Sequence, residues 1–302
     1  MNSLEIDKIS KGLNNLGNTC FFNSVLQLLL QCTVFNKLIL LNNIDGNLIN
    51  RYSDFMKQYT DSSNSISPDN IINYVSRILG RKNYQQEDAE QYLNFMIDTM
   101  IEEMHSWTIQ NSLADSKIAN SSKNMTLKEL INHIFTINVE KNVICPICNN
   151  VSKSCDNINK LYLSINSQQD LKSLVYEYLY ETLDDQNRWK CDKCDNSVNA
   201  IIKKNIISLP KYLIIVLKRY TNNNSKINND INMPDYMTIN SKNYYMRGVI
   251  LHSGITNGGH YVYYGLKDDI WFIYNDSSVQ PVSSETINSI KRIGYVYLYV
   301  LK

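Results

Sequence analysis

The sequence has no surplus of charge of either sign. Its 30 basic and 29 acidic residues leave a formal net charge of +1, which speaks against a nucleic-acid partner. It also has no long hydrophobic run: the longest apolar stretches, "YLIIVL" and "YVYLYVL", are strand-sized and far short of the ~20 residues of a membrane span. Glu5, Asp7, Lys8 and Lys11 precede the first apolar run, so the basic, apolar, small-residue order of a secretory leader is missing. No internal repeat is visible. These absences lead to the expectation of a soluble monomer in the cytoplasm or nucleus, with no membrane and no nucleic acid among its partners. Disulfide staples are not expected either. Seven cysteines is an odd number, and four of them form the pairs "CPIC" and "CDKC", a spacing that in a reducing compartment belongs to metal ligands. At 302 residues the chain can bury a large core without staples.

What is present divides into two parts. The first third reads as helical. Apolar residues from Phe21 to Leu30 surround nearly the whole helix circumference, which predicts a helix buried inside the molecule. "SPDNIINYVSRIL" predicts a helix with Ser67 as N-cap and Pro68 in the first position. "QQEDAEQYLNFMIDTMIEEM" spaces Tyr92, Phe95, Met96 and Met100 at helical intervals. After Lys128, runs such as "INHIFTINVEKNVICPIC", "KYLIIVLKRY", "HYVYYGL" and "IGYVYLYVL" are β-branched and aromatic and read as strands. Polar, turn-rich stretches near residue 63, over Asn111–Asn124 and over Thr221–Asp230 read as connections. An α+β fold follows, with a site expected at the seam.

Cys20 stands at the mouth of the first apolar helix, behind the Gly- and Asn-rich "GLNNLGNT". A sulfur at a helix N-terminus meets unpaired N–H groups, which lowers a thiol pKa toward or below ~7. The amide of Asn15 could join the Cys20 backbone N–H as an oxyanion hole. Considered alone, Cys20 could equally be a packing residue. The stretch "HSGITNGGHYVYY" holds His252 and His260, two of only four histidines, and "WFIYNDSSV" brings Asn275 and Asp276 at the end of the next strand. Cys, His, then Asn or Asp is the chain order of papain-like proteases. His252, His105 and His133 read as ordinary surface or core histidines.

With these residues in place, the sequence resembles the ubiquitin-specific protease family of deubiquitinases from about Gly12 to Leu301. "GLNNLGNTCFFNSVLQLL" is similar to its Cys box, "HSGITNGGHYVYY" through "WFIYNDSSV" to its His box, and "QEDAEQYL" to the acidic segment between. The resemblance implies a papain-like hand in a single catalytic domain, 1–302: a helical thumb over 1–135, zinc-binding fingers over 136–210 and a β-rich palm over 211–302. It implies that Cys20 is the nucleophile, His260 the base and acid, Asn275 the orienting residue and Asn15 the oxyanion donor, with Asp276 assisting. Ubiquitin or ubiquitinated proteins are the implied partners. Gly258, Gly259 and Tyr261 would bound a narrow passage for an extended Gly-Gly tail. Where the family has two acids three positions apart facing the tail, this chain has Asp88 but Gln91, with Glu87 and Glu90 nearby. That departure leaves room for another ubiquitin-like modifier, and a ubiquitin-binding module with weak catalysis is the alternative from a different class. Cys145, Cys148, Cys191 and Cys194 put two thiolates on each of two turns, the ligand set of a closed structural zinc site.

Overall fold

One helix, α1 (Cys20–Leu30), has all eleven of its residues buried, as its all-round apolar surface predicts. The computed structural model describes residues 10–82, 85–110, 126–166, 170–221, 225–255 and 258–302. Asn111–Asn124, residues 222–224 of Thr221–Asp230, and Glu5, Asp7 and Lys8 lie outside the described residues. Around α1 stand α2 (Thr33–Asn42), α3 (Asn47–Asp61), α4 (Asp69–Ile78), α5 (Ala89–Gln110) and α6 (Leu127–Phe135).

Two of these helices differ from their sequence expectation. α4 begins one residue later than expected, with Pro68 rather than Ser67 as N-cap. The Ser67 hydroxyl instead accepts from the Asn14 side-chain amide at 3.0 Å, so it braces the loop before α1. The stretch "INHIF", expected as strand, is the end of α6. Thr126 caps it in a closed box: the Glu129 N–H donates to Thr126 Oγ1 at 3.2 Å and the Thr126 N–H to Glu129 Oε2 at 2.7 Å. Leu127, Ile131, Ile134 and Phe135 then fall on one buried face.

The chain next builds β1 (Ile137–Ile144), β2 (Val151–Ile158), β3 (Leu161–Ser164), α7 (Leu171–Leu179), β4 (Tyr180–Thr182), β5 (Trp189–Lys190), β6 (Ser197–Val198) and β7 (Ile201–Ser208). It ends with β8 (Tyr212–Lys218), β9 (Tyr236–Ile239), β10 (Lys242–Ile255), β11 (Gly258–Lys267), β12 (Ile270–Asn275), β13 (Ser278–Pro281), α8 (Ser284–Ile293) and β14 (Val296–Leu301). The α+β expectation holds. A slender sheet in the order β2-β1-β7-β4 forms the fingers, with β5 and β6 paired beyond it. The palm is a larger sheet in the order β13-β12-β11-β10-β14-β8-β3, with β9 added to β10. β3 falls within 136–210 but leaves the finger sheet and pairs in parallel with β8.

Continuous apolar runs such as "YLIIVL" belong to strands covered on both faces. On β8, Tyr212, Ile214 and Val216 join the core shared with the helices, while Leu213, Ile215 and Leu217 join a second core on the opposite face. The finger tip has only a small cluster around Cys145, Cys191, Val198 and Ala200.

Arg219, just after β8, is 1% exposed, and carbonyl oxygens answer its charge. Nε donates to Gly294 O at 2.7 Å, Nη1 to Ile227 O and Asn229 O at 3.0 and 2.9 Å, and Nη2 to Arg292 O at 2.9 Å. One guanidinium thus binds the 219–230 connection to the C-terminal end of α8. Arg219→Met removes donors from four carbonyls at once. It is expected to cost ~3 kcal/mol or more and to lower the melting midpoint by roughly 5 °C or more in calorimetry. An unchanged midpoint would show that this connection is not a structural tie.

Candidate active site

The loop before α1 is shaped by its own side chains. Asn15 Oδ1 accepts from the Gly17 and Thr19 N–H groups, each at 3.0 Å, a side-chain-closed turn that bends the chain through Gly17 (φ 97°) and Asn18 (φ 58°). Thr19 Oγ1 accepts from the Leu16 N–H at 2.9 Å, so it organises the loop rather than capping α1 by side chain. Gly12 is required here: a Cβ on it would lie 2.3 Å from the Ser277 carbonyl carbon.

Cys20 opens α1 at 2% exposure, and the Tyr261 N–H donates to its sulfur at 3.5 Å. Burial pushes the thiol above its ordinary value. The Tyr261 N–H and the first N–H groups of α1 pull it back, and the Asp276 carboxylate adds to the rise. The expected lowering of the thiol by the helix N-terminus is therefore corrected in sign, because desolvation outweighs those N–H groups.

Tyr261 is the residue after His260 on β11. His260 is half-buried, and its Nε2 lies 2.6 Å from Asn275 Oδ1 and 4.0 Å from Asp276 Oδ2. An amide oxygen only accepts, which assigns the proton to Nε2 and leaves the Nδ1 lone pair available to take one from a thiol. Asn275 ends β12, and the hairpin to β13 turns through Asp276 (φ 50°) and Ser277. The turn sends the two neighbouring side chains different ways: Asn275 meets His260, while Asp276 Oδ2 accepts from Asn15 Nδ2 at 2.8 Å and Oδ1 from Asn23 Nδ2 at 2.7 Å. Asn23 was missed in the sequence. It is a polar residue on the buried α1, three positions after Cys20, and that misfit was its signal.

The lining of a cavity of about 360 Å³ includes Gln86, Glu87, Asp88, Gln91, Gly258 and Tyr261, together with His252 and Arg81. Four of the expected tail-contact residues thus share one space. Burial raises the Asp88 carboxyl, against the Glu90 N–H and the Tyr295 hydroxyl that donate to it. Of its acidic neighbours, Glu87 lines the cavity, whereas Glu90 is tied to Lys160 at 3.4 Å and to the Tyr162 hydroxyl. Gln91 Oε1 accepts from Arg81 at 3.3 Å.

Of the two glycines, Gly259 is explained by the protein's own packing, whereas a Cβ on Gly258 would come no nearer than 3.9 Å to Gln86 Oε1. A Cβ on Gly259 would lie 2.3 Å from His252 Nε2. His252 is buried, its ring centroid 4.3 Å from that of Tyr261. Its pKa is pushed down to about 4 by burial, then by Lys226 and His260, so it is a neutral floor residue. Gln86, also missed in the sequence, accepts from the Gly259 N–H at 3.2 Å and donates to the Gly259 carbonyl. It bridges the segment before α5 to β11.

At the finger tip, two like turns face each other. The Asn149 N–H bonds to Cys145 O and the Asp195 N–H to Cys191 O, with Asn149 and Asp195 at φ 56° and 55°. All four sulfurs lie within 4.8 Å of one another, with Cys145 to Cys194 at 3.8 Å and Cys148 to Cys191 at 3.6 Å. A tetrahedral ion with bonds of ~2.3 Å requires edges of about 3.8 Å. The donor set therefore fits a closed four-thiolate metal site.

Among the described residues no single helix is long and apolar enough to cross a membrane. The family model described as ubiquitin carboxyl-terminal hydrolase matches residues 11–299. Ubiquitin carboxyl-terminal hydrolase 8 of Saccharomyces cerevisiae is 25% identical over 96% of the chain and 70% of its own length. Ubiquitin carboxyl-terminal hydrolase 2 of Homo sapiens is 28% identical over 96% of the chain and 55% of its own length. Ubiquitin carboxyl-terminal hydrolase 19 of Arabidopsis thaliana is 29% identical, and the chain spans 45% of that protein. Among solved structures, the SAGA Ubp8/Sgf11/Sus1/Sgf73 DUB module bound to ubiquitin aldehyde shares the fold. The TM-score is 0.75 and the identity 23%, over 99% of this chain and 71% of that one. With nearly its whole length matched, the chain belongs to the ubiquitin carboxyl-terminal hydrolase family, the cysteine-type deubiquitinases.

Proposed function

We propose that the chain hydrolyses the peptide or isopeptide bond after the C-terminal glycine of ubiquitin, with Cys20 as nucleophile, His260 as base and acid, and Asn275 as the residue that orients His260. The observation that carries this reading is the double engagement of one strand. The Tyr261 N–H sits on the Cys20 sulfur at 3.5 Å while the preceding residue, His260, is held at 2.6 Å by Asn275.

The resting thiol is protonated, so attack on the glycine carbonyl is coupled to proton transfer from Cys20 Sγ to His260 Nδ1. The imidazolium then protonates the departing amine, and water, activated by the same ring, cleaves the thioester. The Cys20 backbone N–H and the Asn15 side-chain amide serve the oxyanion. Asn15 Nδ2 gives one hydrogen to Asp276 and has a second for the substrate. Asp88 and Gln91 contact the ubiquitin tail as it passes between the thumb and the β11 edge beside Gly258, Gly259 and Tyr261. A protease for a related modifier is a second reading, favoured by the uncharged Gln91. In the fingers, Cys145, Cys148, Cys191 and Cys194 hold zinc, whose chemistry there is to fix the two turns in place of a hydrophobic core. The thumb ends at residue 135 and the palm begins at 211, in a soluble cytoplasmic or nuclear protein.

Cys20→Ala is expected to abolish release of aminocoumarin from ubiquitin–aminocoumarin while ubiquitin binding persists, since a folded modifier buries a large surface of which the sulfur is a small part. Turnover above background in that variant would refute the nucleophile. Asn275→Ala should lower kcat by about 10²-fold, whereas Asn275→Asp keeps much of it. If Asp276→Ala is far more damaging than Asn275→Ala, the orienting roles are reversed.

The electrostatics of Cys20 give a separate check. The Asp276 charge raises the thiol, so Asp276→Asn should move the pH profile of iodoacetamide alkylation at Cys20 to lower pH. An unmoved or raised midpoint contradicts the assigned sign. Elemental analysis should find one zinc per chain, and Cys148→Ser should lose it and make the finger segment sensitive to limited proteolysis. Full zinc in Cys148→Ser would contradict this ligand set.

A further inference from the structure

Outside the catalytic cleft, α3 and α4 enclose an open groove of about 770 Å³ whose lining includes Arg51, Arg77, Arg81 and Lys82 and no carboxylate. On a chain with a net charge of +1, four cations around one groove are a local concentration, not a reflection of composition. The guanidinium carbons of Arg51 and Arg77 lie 4.2 and 5.7 Å from the centre of the Tyr74 ring. The aromatic face holds the two like charges near each other, where repulsion would otherwise part them.

Within the groove the charges are unequally answered. Arg81 is paired with Glu87 at 3.6 Å, both in the lining of the Asp88 cavity. Arg51 donates to the Asn47 carbonyl at 2.7 Å. Arg77 and Lys82 have no acidic partner among the described residues. Two lining residues also keep a buried polar atom without a hydrogen bond: a donor, Arg51 Nε, and an acceptor, Asn73 Oδ1. Buried groups of this kind are few in native proteins and call for an explanation.

We propose that this groove binds an acidic peptide segment of a partner protein. Carboxylates answer Arg51, Arg77 and Lys82 with charge-assisted hydrogen bonds. The main chain of a peptide brings N–H donors as well as acceptors, and so can relieve Asn73 Oδ1 as well as Arg51 Nε once those side chains engage it. The formal net charge of +1 also falls short of the strongly basic balance that marks nucleic-acid binding. Because Arg81 lines both the groove and the Asp88 cavity, a segment bound here lies next to that cavity. Resting on the proposed deubiquitinase reading, the groove would favour ubiquitinated proteins with an acidic stretch near the modified lysine.

The test measures binding first, by fluorescence anisotropy of a labelled Glu/Asp-rich dodecapeptide on the intact chain. Wild type should bind saturably and more weakly as salt rises. The double variant Arg77→Glu, Lys82→Glu changes two exposed side chains and should lose affinity by about tenfold or more. It should keep the circular dichroism spectrum and the wild-type rate on ubiquitin–aminocoumarin. Equal peptide affinity in the double variant overturns the proposal. So does tighter binding of an oligothymidylate of equal charge that the double variant also loses, which would make a phosphate polymer the ligand. If the wild type does not hydrolyse ubiquitin–aminocoumarin at all, the functional reading fails while the anisotropy result still decides the groove.

Discussion

The Asp276 turn is the clasp on which the site depends. Its carboxylate takes one amide from the loop before α1 and one from α1 itself, and its carbonyl accepts from the Leu13 N–H at 2.8 Å. Three separately formed pieces, the Cys20 loop, the first helix and the β12–β13 hairpin, are thereby fixed relative to one another at one residue. Its charge also reaches the sulfur: it adds to the rise of the Cys20 thiol, while its Oδ2 lies 4.0 Å from His260 Nε2. A resting thiol is protected from casual oxidation, because the thiolate is the reactive form.

Much of this arrangement was legible in the sequence, because residue types and chain order limit the chemistry. Cys20, His260 and Asn275 stand out by rarity and order, and the two CxxC pairs by spacing. The sign of the Cys20 shift was not legible, since a sequence shows that a helix begins there but not how much water its neighbours exclude. Asp276 read as an assistant to His260. Alternation at a strand end anticipates that its side chain diverges from that of Asn275; its direct bonds to Asn15 and Asn23 depend on tertiary packing against α1, which no local pattern records.

The secondary-structure misses have a common cause. α6 was hidden by β-branched neighbours although its capping box, Thr126 with Glu129, was present in the sequence. α7 and α8 lie among strands and are also announced by caps: Asp170 accepts from the Ser173 N–H at 3.0 Å and Ser283 from the Thr286 N–H at 3.2 Å. Local capping chemistry overrode the composition of the surrounding chain in all three cases. Arg219 escaped notice for the opposite reason: its partners are backbone carbonyls, which have no letter in a sequence.

The finger sheet has a mechanical consequence. β1 and β7 are each eight residues long, so each reaches about 27 Å. Only the near end is embedded, where Ile137 and Val139 sit in the second core; the far end carries the four cysteines. Such a sheet is a cantilever. A rocking of roughly 10° at its root sweeps the tip through about 5 Å over that length, while the bonds near the clasp hardly move. Displacement of the tip is thus separated, by the length of the sheet, from the residues gathered at Asp276.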